Sequence, residues 1–359
     1  MQPANPPFEP PLSTPLCDGH GGVVHAIPEH FVVDEIPAYL PSGEGGHWYV
    51  RIQKRGLNTQ DAVRRIATAA GVERKAMGVA GQKDKHAVTT QWVSLPVDGA
   101  DPATWPEIEA VTVLEVSRHG NRLKTGHVKG NAFALTFSEL PEGWEAAFEA
   151  TVADIQANKL PNYFGPQRFG TGRRNLDAAL KWTETGMRDR SHNARFKNRL
   201  YPSVLQSDVF NRYLNVRLAD ERPLIDGEVV RLDGSKAVFV VEDAAAEVHR
   251  LGEGDIHLTG PLFGPKSRAP RGEALVWEVE AVATLGLEPT TKKRLSKSAP
   301  GARRDLLVLP ENLRYERLDD STAVLRFALP SGCYATQLAR EFTRRPWASP
   351  LRPLPAPIG

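Results

Sequence analysis

The sequence predicts an α+β protein built on a mixed, largely antiparallel sheet. Strand-like segments outnumber helical ones, and helices separate only some of the strands, which argues against a doubly wound parallel sheet. In addition, the middle of the 359-residue chain differs in composition from the segments on either side of it. We therefore expect a host domain that is interrupted by a smaller inserted α/β domain.

The predicted strands alternate apolar and polar residues or are short apolar runs between turn residues. In the first part of the chain they cover 23–36, 47–55, 76–81, 88–95, 111–118 and 131–140. Helices are predicted over 58–71, between a capping Asn58 or Thr59 and a terminating Gly71, and over 144–159. The same pattern returns near the end of the chain, with strands at 306–318 and 322–330 and a helix at 335–343.

The middle of the chain predicts the inserted domain. From about residue 187, a helical segment at 198–220 is followed by short β-like pieces in acidic, glycine-rich connections. The first sixteen residues contain six prolines, and the last residues have the same character, so both ends are expected to be extended and weakly ordered. The predicted organisation is an N-terminal arm at 1–20, a core at 21–187 and 306–346, an inserted domain at 188–305 and a tail at 347–359.

Composition argues against several classes of protein. No apolar stretch approaches the roughly 18 residues that span a bilayer, and no basic region precedes an apolar core near the N-terminus. We therefore expect a cytoplasmic protein without a membrane partner. Cys17 and Cys333 are the only cysteines and fit no metal spacing, so reduced thiols and no metal are expected. Phosphate-loop and dinucleotide motifs do not occur, and we expect no cofactor.

The formal net charge of +2 conceals an uneven distribution of charge along the chain. Residues 46–90 hold nine Lys or Arg against three Asp or Glu, residues 161–200 have the same balance, and residues 217–255 hold five against ten. Two basic stretches beside an acidic one are typical of a face that binds a polyanion such as RNA or DNA. Solvated helix faces give the same pattern, so charge alone leaves both interpretations open.

The stretch "GQKDKHAVTTQW" (81–92) carries the carboxylate that is best placed for chemistry. Asp84 lies between Lys83 and Lys85, in a predicted tight turn between an apolar strand and the next strand. A carboxylate held by two anchored strands and kept ionised by neighbouring cations can act as a nucleophile toward an electrophilic sugar carbon. An aspartate that bonds its own backbone is the commoner role in a turn, so the motif alone does not decide.

The stretch "PNYFGPQRFG" (161–170) combines aromatic rings with amides and a cation in a segment that glycine and proline make irregular. Clustered rings in a loop often anchor a core, but this mixture also suits a surface that stacks a base and hydrogen-bonds its edges. The aromatic residues are Tyr163, Phe164 and Phe169, and the polar ones are Asn162, Gln167 and Arg168.

Two further stretches have a composition that suits nucleic acid. "RHGNRLKTGHVKGN" (118–131) supplies four Lys or Arg, two histidines and three glycines, which is typical of contacts along a phosphate backbone. "LPSGCYATQLARE" (329–341) places Tyr334 in a glycine-containing turn just before a predicted helix. Both are candidate RNA contacts.

Together these stretches resemble the TruD family of tRNA pseudouridine synthases. "AGQKDKHAVTTQW", "RLKTGHVKGNAF", "PNYFGPQRFG" and "LPSGCYATQLARE" occur in the order that the family has. "HFVVDEIP" followed by "SGEGGHWYVRIQKRGLNTQDAV" is similar to the family's N-terminal segment. The matches span roughly residues 20–345 and leave out only the proline-rich ends, and five of them in one order make the resemblance specific.

The resemblance implies a pseudouridine-synthase catalytic core that is interrupted by a TruD-specific domain, and a monomer is expected. It implies that a uridine in tRNA, expected at position 13 of the D arm, leaves its stack and becomes pseudouridine without a metal or an organic cofactor. Asp84 matches the aspartate of the family's G-x-K-D motif and is the expected nucleophile. The residues expected to contact the target nucleotide are Phe31, Asn162, Phe164 and Tyr334, with Lys83 and Arg168 beside them.

Two positions depart from the family pattern. His25 stands where lysine is common, and Gln206 stands where the family usually carries arginine in a Ser-Ala-Ala-Arg-Ser run. Two other functions remain open from the residues themselves. One is a non-catalytic RNA-binding protein on the same scaffold, and the other is an RNA-cleaving enzyme that uses His86 or His119 as its general base.

Overall fold

The computed structural model describes residues 8–184, 194–287, 293, 295 and 298–347. The chain forms two compact units. The large-sheet unit comprises Thr14–Ala157 and Leu309–Arg345, and the small-sheet unit comprises Asn158–Val308 with short pieces from the two ends of the chain. Residues 1–7 of the predicted arm and 348–359 of the predicted tail lie outside the described residues. The predicted limits of the inserted domain, 188–305, stay a prediction.

One eight-stranded sheet organises the large-sheet unit. Its strands are β1 (Phe31–Pro37), β2 (His47–Arg55), β3 (Gly78–Val79), β4 (Val88–Pro96), β5 (Val111–His119), β6 (Val128–Phe137), β13 (Glu311–Arg317) and β14 (Ala323–Pro330). The order is β13-β14-β6-β1-β4-β2-β5, and β3 pairs with β4. β1 runs parallel to β4, whereas the other described pairs in this sheet are antiparallel. The predicted mixed, largely antiparallel sheet is confirmed.

Three helices belong to the large-sheet unit: α1 (Thr59–Ala69), α2 (Trp144–Asn158) and α8 (Ala335–Thr343). α1 begins as predicted, because the side chain of Asn58 accepts a hydrogen bond from the backbone N–H of Asp61. Its buried face carries Ala62 and Ile66 and packs into the core of the sheet. Gly71 follows the helix with a φ of 67°, a conformation that favours glycine.

The small-sheet unit combines short strands with helices. Its helices are α3 (Pro166–Phe169), α4 (Arg174–Glu184), α5 (Ala194–Leu218), α6 (Ala244–Glu253) and α7 (Gly272–Ala283). Its strands are β7 (Leu160–Pro161), β8 (Val229–Leu232), β9 (Val238–Val240), β10 (Ile256–Leu262), β11 (Ala302–Asp305) and β12 (Leu307–Val308). Four of them form an antiparallel sheet of order β11-β10-β8-β9, and β12 pairs with β7.

A glycine allows α5 to pack closely on β10. A Cβ atom at Gly260 would lie 2.9 Å from ring carbons of both Phe210 and Tyr213, which is too close for a normal contact. Both rings are fully buried, or nearly so, on α5. The absence of a side chain at this position therefore sets the distance between the helix and the sheet.

Two segments differ from the sequence-based expectations. The predicted strand at 76–81 is reduced to Gly78–Val79, because the residues after Val79 bond to groups outside the β3–β4 pair. The predicted weakly ordered arm is anchored at Thr14, whose backbone N–H and hydroxyl both donate to Oε2 of Glu341, at 3.1 and 2.8 Å. Thr14 is 6% exposed, so this part of the arm belongs to the packed structure.

Replacing Leu135 by alanine is expected to lower the free energy of unfolding by about 2–5 kcal/mol, because it opens a cavity in the core. Leu135 is fully buried on β6, opposite Phe31 of β1 and Leu325 of β14. Urea denaturation followed by circular dichroism measures the change. The matched control is Leu318→Ala, which should change unfolding by less than about 0.5 kcal/mol because Leu318 is 54% exposed. Equal effects of the two substitutions would contradict this position of the core.

Candidate active site

Asp84 lies in an irregular loop of residues 80–87 between β3 and β4, and its side chain is exposed. The loop is longer than the predicted tight turn. Its two ends are fixed by backbone hydrogen bonds: Ala80 O accepts from the N–H of Gly126 at 2.9 Å, and Ala87 O accepts from the N–H of Gly56 at 3.3 Å. The middle of the loop, where Asp84 lies, is held by side chains.

Lys54, near the end of β2, holds the backbone of Asp84. Its ammonium group donates to Asp84 O at 2.7 Å and to Leu57 O at 2.5 Å, and the residue is only 1% exposed. Burial lowers the pKa of Lys54 to about 8, the Asp84 charge opposes this shift, and the Lys83 charge adds to it. Lys54 was not identified from the sequence, although the alternation of β2 assigns it to the same buried face as Ile52.

Thr59 holds the residue before Asp84. Its hydroxyl oxygen accepts a hydrogen bond from the backbone N–H of Lys83 at 2.8 Å and donates to Oε1 of Gln91 at 3.0 Å. Thr59 and Gln91 are both 1% exposed. The first residue of α1 thus links the loop to β4 through one buried hydroxyl.

Lys83 is turned into the sheet by a buried ion pair. Its Nζ lies 2.5 Å from Oε2 of Glu35, and the two side chains are 7% and 1% exposed. Oε1 of Glu35 accepts from the backbone N–H of Trp92 at 3.2 Å. The charge of Lys83 is therefore paired inside the protein, and a contact of Lys83 with substrate stays a prediction. Glu35 was missed as well, although it lies in phase with Phe31 and Val33 on the buried face of β1.

The sheet register locates the two aromatic candidates of this unit. Phe31 begins β1, is 5% exposed and packs edge-on against Phe133. Tyr334 precedes α8, in the turn after β14, whose last residue pairs with Gly130 and so lies at the other end of β1. The Asp84 loop ends beside the Phe31 end of β1, since β4 starts opposite Val32, and the side chain of Lys83 reaches Glu35 of the same strand.

The basic stretch 118–131 is fixed by a cluster of tyrosines and histidines. The ring of His119 stacks on Tyr39, and its Nδ1 accepts from the backbone N–H of Ser42 at 3.1 Å. The hydroxyl of Tyr39 is 2.6 Å from Nδ1 of His127. His119 therefore has a packing role in this structure, whereas His86, the other histidine considered as a general base, is exposed.

The remaining candidates lie in the small-sheet unit, where Arg304 of β11 engages Asn162. The guanidinium group donates to Oδ1 of Asn162 at 2.5 Å and to its backbone oxygen at 3.1 Å. Nδ2 of Asn162 donates to Asp305 O at 2.9 Å, and the residue is 6% exposed. The amide of Asn162 therefore has a fixed orientation. Arg304 was not identified from the sequence, because it lies 142 residues from Asn162.

Phe164 is packed between cations and a second ring. The guanidinium carbon of Arg304 lies 4.1 Å from the centre of its ring, that of Arg168 lies 5.8 Å away, and Phe210 contacts it edge-on. The backbone of Phe164 is held by Asn211, which accepts from its N–H at 2.8 Å and donates to its oxygen at 3.1 Å. Phe164 is 7% exposed, so the ring is largely covered. Tyr163 and Phe169 are buried too, in line with the core-anchor interpretation of this stretch.

The two departures from the family pattern have local partners. Nε2 of His25 lies 3.4 Å from Oε1 of Glu139. Nε2 of Gln206 donates to Phe263 O at 2.7 Å, and Gln206 is 9% exposed. The position of Gln206 on α5 is therefore a packed one.

The described ranges contain no group of three or more His, Cys, Asp or Glu side chains that could hold a metal ion. Among these same residues, no helix combines the length and the apolar character needed to cross a membrane.

Comparison with known proteins decides the family. The family model of tRNA pseudouridine synthase D (TruD) matches residues 14–179 and 194–342, which include Asp84 and the other candidate residues. A relative from Anaeromyxobacter sp. (strain Fw109-5), named tRNA pseudouridine synthase D, is 40% identical over 339 residues, which cover 93% of this chain and 96% of the relative. The chain belongs to the TruD family.

One further relative supports this assignment, and one solved structure supports the fold. A tRNA pseudouridine synthase D from Thermus thermophilus is 36% identical over 351 residues, 97% of this chain and 96% of the relative. The crystal structure of a candidate TruD from Methanosarcina mazei has a TM-score of 0.69 and 23% identity, and the match covers 91% of this chain and 94% of that one. The structural similarity supports the fold, and the sequence similarity supports the family.

Lys83→Met is expected to lower the free energy of unfolding by about 3–5 kcal/mol, because it leaves Glu35 buried without its partner. The double variant with Glu35→Gln should recover part of this loss, since residue 35 then carries no charge that lacks a partner. Urea denaturation of wild type, Lys83→Met, Glu35→Gln and the double variant measures the coupling free energy between the two side chains. Lys75→Met is the matched control: its 2.7 Å pair with Glu73 is exposed and should contribute less than about 1 kcal/mol. A similar loss in both single lysine variants would contradict a buried pair.

Proposed function

We propose that this chain isomerises a uridine of tRNA to pseudouridine, with Asp84 as the nucleophile. The observation that carries the proposal is the position of Asp84 within the TruD match: an exposed carboxylate on a backbone that Lys54, Thr59 and the strand ends hold. The matched relatives are named tRNA pseudouridine synthase D. Their coverage of nearly the whole chain supports the transfer of this activity.

The chemistry needs a carboxylate with these properties. Isomerisation breaks the N1–C1′ bond of uridine, rotates the uracil and joins C5 to C1′, while the C5 proton is lost and N1 gains one. While the base is detached, the carboxylate of Asp84 can bond to C1′ or stabilise the positive charge that develops there. An exposed side chain can reach the sugar, and a fixed backbone lowers the entropy lost in doing so.

The uridine must leave its stack before Asp84 can reach C1′, and the candidate contacts suit an extruded nucleotide. The family resemblance implies nucleotide contacts by Phe31 and Tyr334 of the large-sheet unit and by Asn162 and Phe164 of the small-sheet unit. In this structure Phe31 and Phe164 are 5% and 7% exposed, and the amide of Asn162 has a fixed orientation. The guanidinium of Arg304 lies over the ring of Phe164, so this segment combines an aromatic ring with a cation. Arg168, 5.8 Å from the same ring, adds a second charge that favours a phosphate.

The substrate site is proposed to be uridine 13 in the D arm, as the family resemblance implies. The basic stretches at 46–90 and 161–200 fit a tRNA partner. A tRNA substrate also agrees with the expected cytoplasmic location, and the proposed reaction uses no metal and no organic cofactor. A monomer is the expected state of the active protein.

Asp84→Asn is expected to bind tRNA with nearly unchanged affinity and to lose pseudouridine formation by more than about 1,000-fold, because a neutral amide can neither bond to C1′ nor balance the positive charge that develops there. Tritium release from 5-tritiated uridine in tRNA measures the product, and filter binding measures affinity. The matched control is Asp98→Asn, an exposed aspartate in the same unit, which should keep the wild-type rate. An Asp84→Asn rate near that of wild type would sink the assignment of the nucleophile.

Deletion of the gene is expected to remove one pseudouridine from the D arm of its substrate tRNAs. Carbodiimide-based mapping of total tRNA locates the missing site at nucleotide resolution. Complementation with wild type should restore the modification, and complementation with Asp84→Asn should not. An unchanged map would support the alternative, a non-catalytic RNA-binding protein, and cleaved tRNA in place of an isomer would indicate a nuclease.

A further inference from the structure

We infer that Lys54 is a positioning residue for Asp84, and that the reaction requires Lys54 in its ammonium form. The inference rests on the proposed function and adds a residue to it. Lys54 does not touch the reacting atoms in this arrangement. It acts by fixing the backbone from which the carboxylate of Asp84 projects.

The contacts of Lys54 point to positioning of the loop. An ammonium group carries three protons, and two of them are donated to Leu57 O and Asp84 O, at 2.5 and 2.7 Å. Among the described residues, no third acceptor is bonded to it. Burial of a lysine without a directly bonded carboxylate is unfavourable, and a long apolar side chain would fill the same space without that penalty. The charge of Lys54 therefore has a use other than filling the core. We assign that use to its hydrogen bond with the backbone carbonyl of Asp84.

The surrounding charges explain why the proton matters. The groups facing Lys54 are the carboxylate of Asp84, which favours its charged form, and the ammonium of Lys83, which disfavours it. Lys83 is in turn paired with Glu35. With Lys54 protonated, this set holds two positive and two negative charges. Loss of its proton weakens the bond to Asp84 O and leaves an excess of negative charge around the nucleophile.

Deprotonation of Lys54 is expected to have opposite effects on the activity and on the stability of the protein. Burial lowers its pKa from 10.5 to about 8, so between these values the unfolded chain holds a proton that the folded chain has released. Folding therefore becomes more favourable as pH rises through this window, because the cost of a buried charge disappears. Activity is expected to change in the opposite direction. A residue that only supported the fold would make activity follow stability.

The test measures single-turnover pseudouridine formation at saturating tRNA from pH 6.5 to 9.5, which isolates the chemical step from binding. The wild-type rate should decline above pH about 8 while its stability relative to Lys54→Met increases. Lys54→Met should be about 100-fold slower at pH 7, as expected for a displaced nucleophile, and should lack the alkaline decline. The control is Lys236→Met, an exposed lysine of the small-sheet unit, which should reproduce the wild-type profile.

A second variant covers the case in which Lys54→Met does not fold. Lys54→Arg keeps a positive charge throughout this range, so it should retain more activity than Lys54→Met and show no decline near pH 8. A wild-type rate that stays flat to pH 9.5 would overturn the inference. A decline that persists in either variant would overturn it too, because the titrating group would then be another one.

Failure of the proposed function gives a different result. In that case wild type forms no pseudouridine at any pH. The positioning role would still be measurable by hydrogen exchange at the backbone N–H of Lys83. This group donates a hydrogen bond to the hydroxyl of Thr59. Faster exchange in Lys54→Met than in Lys236→Met supports the hold on the loop, and equal exchange contradicts it.

Discussion

The buried ion pair between Lys83 and Glu35 is the contact on which the arrangement of the Asp84 loop depends. Residues 80–87 form no strand or helix, and between their backbone-bonded ends they are held by side-chain contacts. Two charges taken out of water are tolerated only when they are paired and bonded, and Glu35 meets this need with Lys83 on one oxygen and the Trp92 amide on the other. The pair ties the loop to β1 and β4 together, and Lys54 holds it from the side of β2.

Much of the large-sheet unit could be predicted, because alternation of apolar and polar residues specifies strands locally. The nucleophile candidate was accessible too, since its motif is short and continuous. Glu35, the partner of Lys83, was not found, because the two residues are 48 positions apart and no local rule joins them. The sequence nevertheless contained a signal. Glu35 and Lys54 are charged residues at positions of β1 and β2 that alternation assigns to the buried face of each strand. Charged residues that alternation assigns to a buried face are uncommon unless paired, and two of them on strands that follow each other in the sequence indicate a buried network.

The aromatic candidates show a different limit of sequence reasoning. Composition of the stretch at 161–170 predicts rings near amides and a cation, and the structure contains such a grouping. The sequence does not indicate that these rings are largely covered, or that the cation nearest to Phe164 is Arg304 of β11. That contact is made by chain segments far apart in sequence, and its geometry follows from how β11 packs beside the first residues after α2. Residue type was predictable here, and the surroundings of each ring were not.

β1 and β4 are parallel neighbours, so the chain between them must cross from the end of one strand to the start of the other. That crossover, residues 38–87, contains β2, α1 and β3 and ends with the Asp84 loop. Closing a segment of this length costs more conformational entropy than closing a local hairpin does. Asp84 is therefore anchored only in a chain whose β1–β4 pairing has formed, since the loop ends where β4 begins. The geometry of this carboxylate is thus a property of the assembled sheet and not of its short motif.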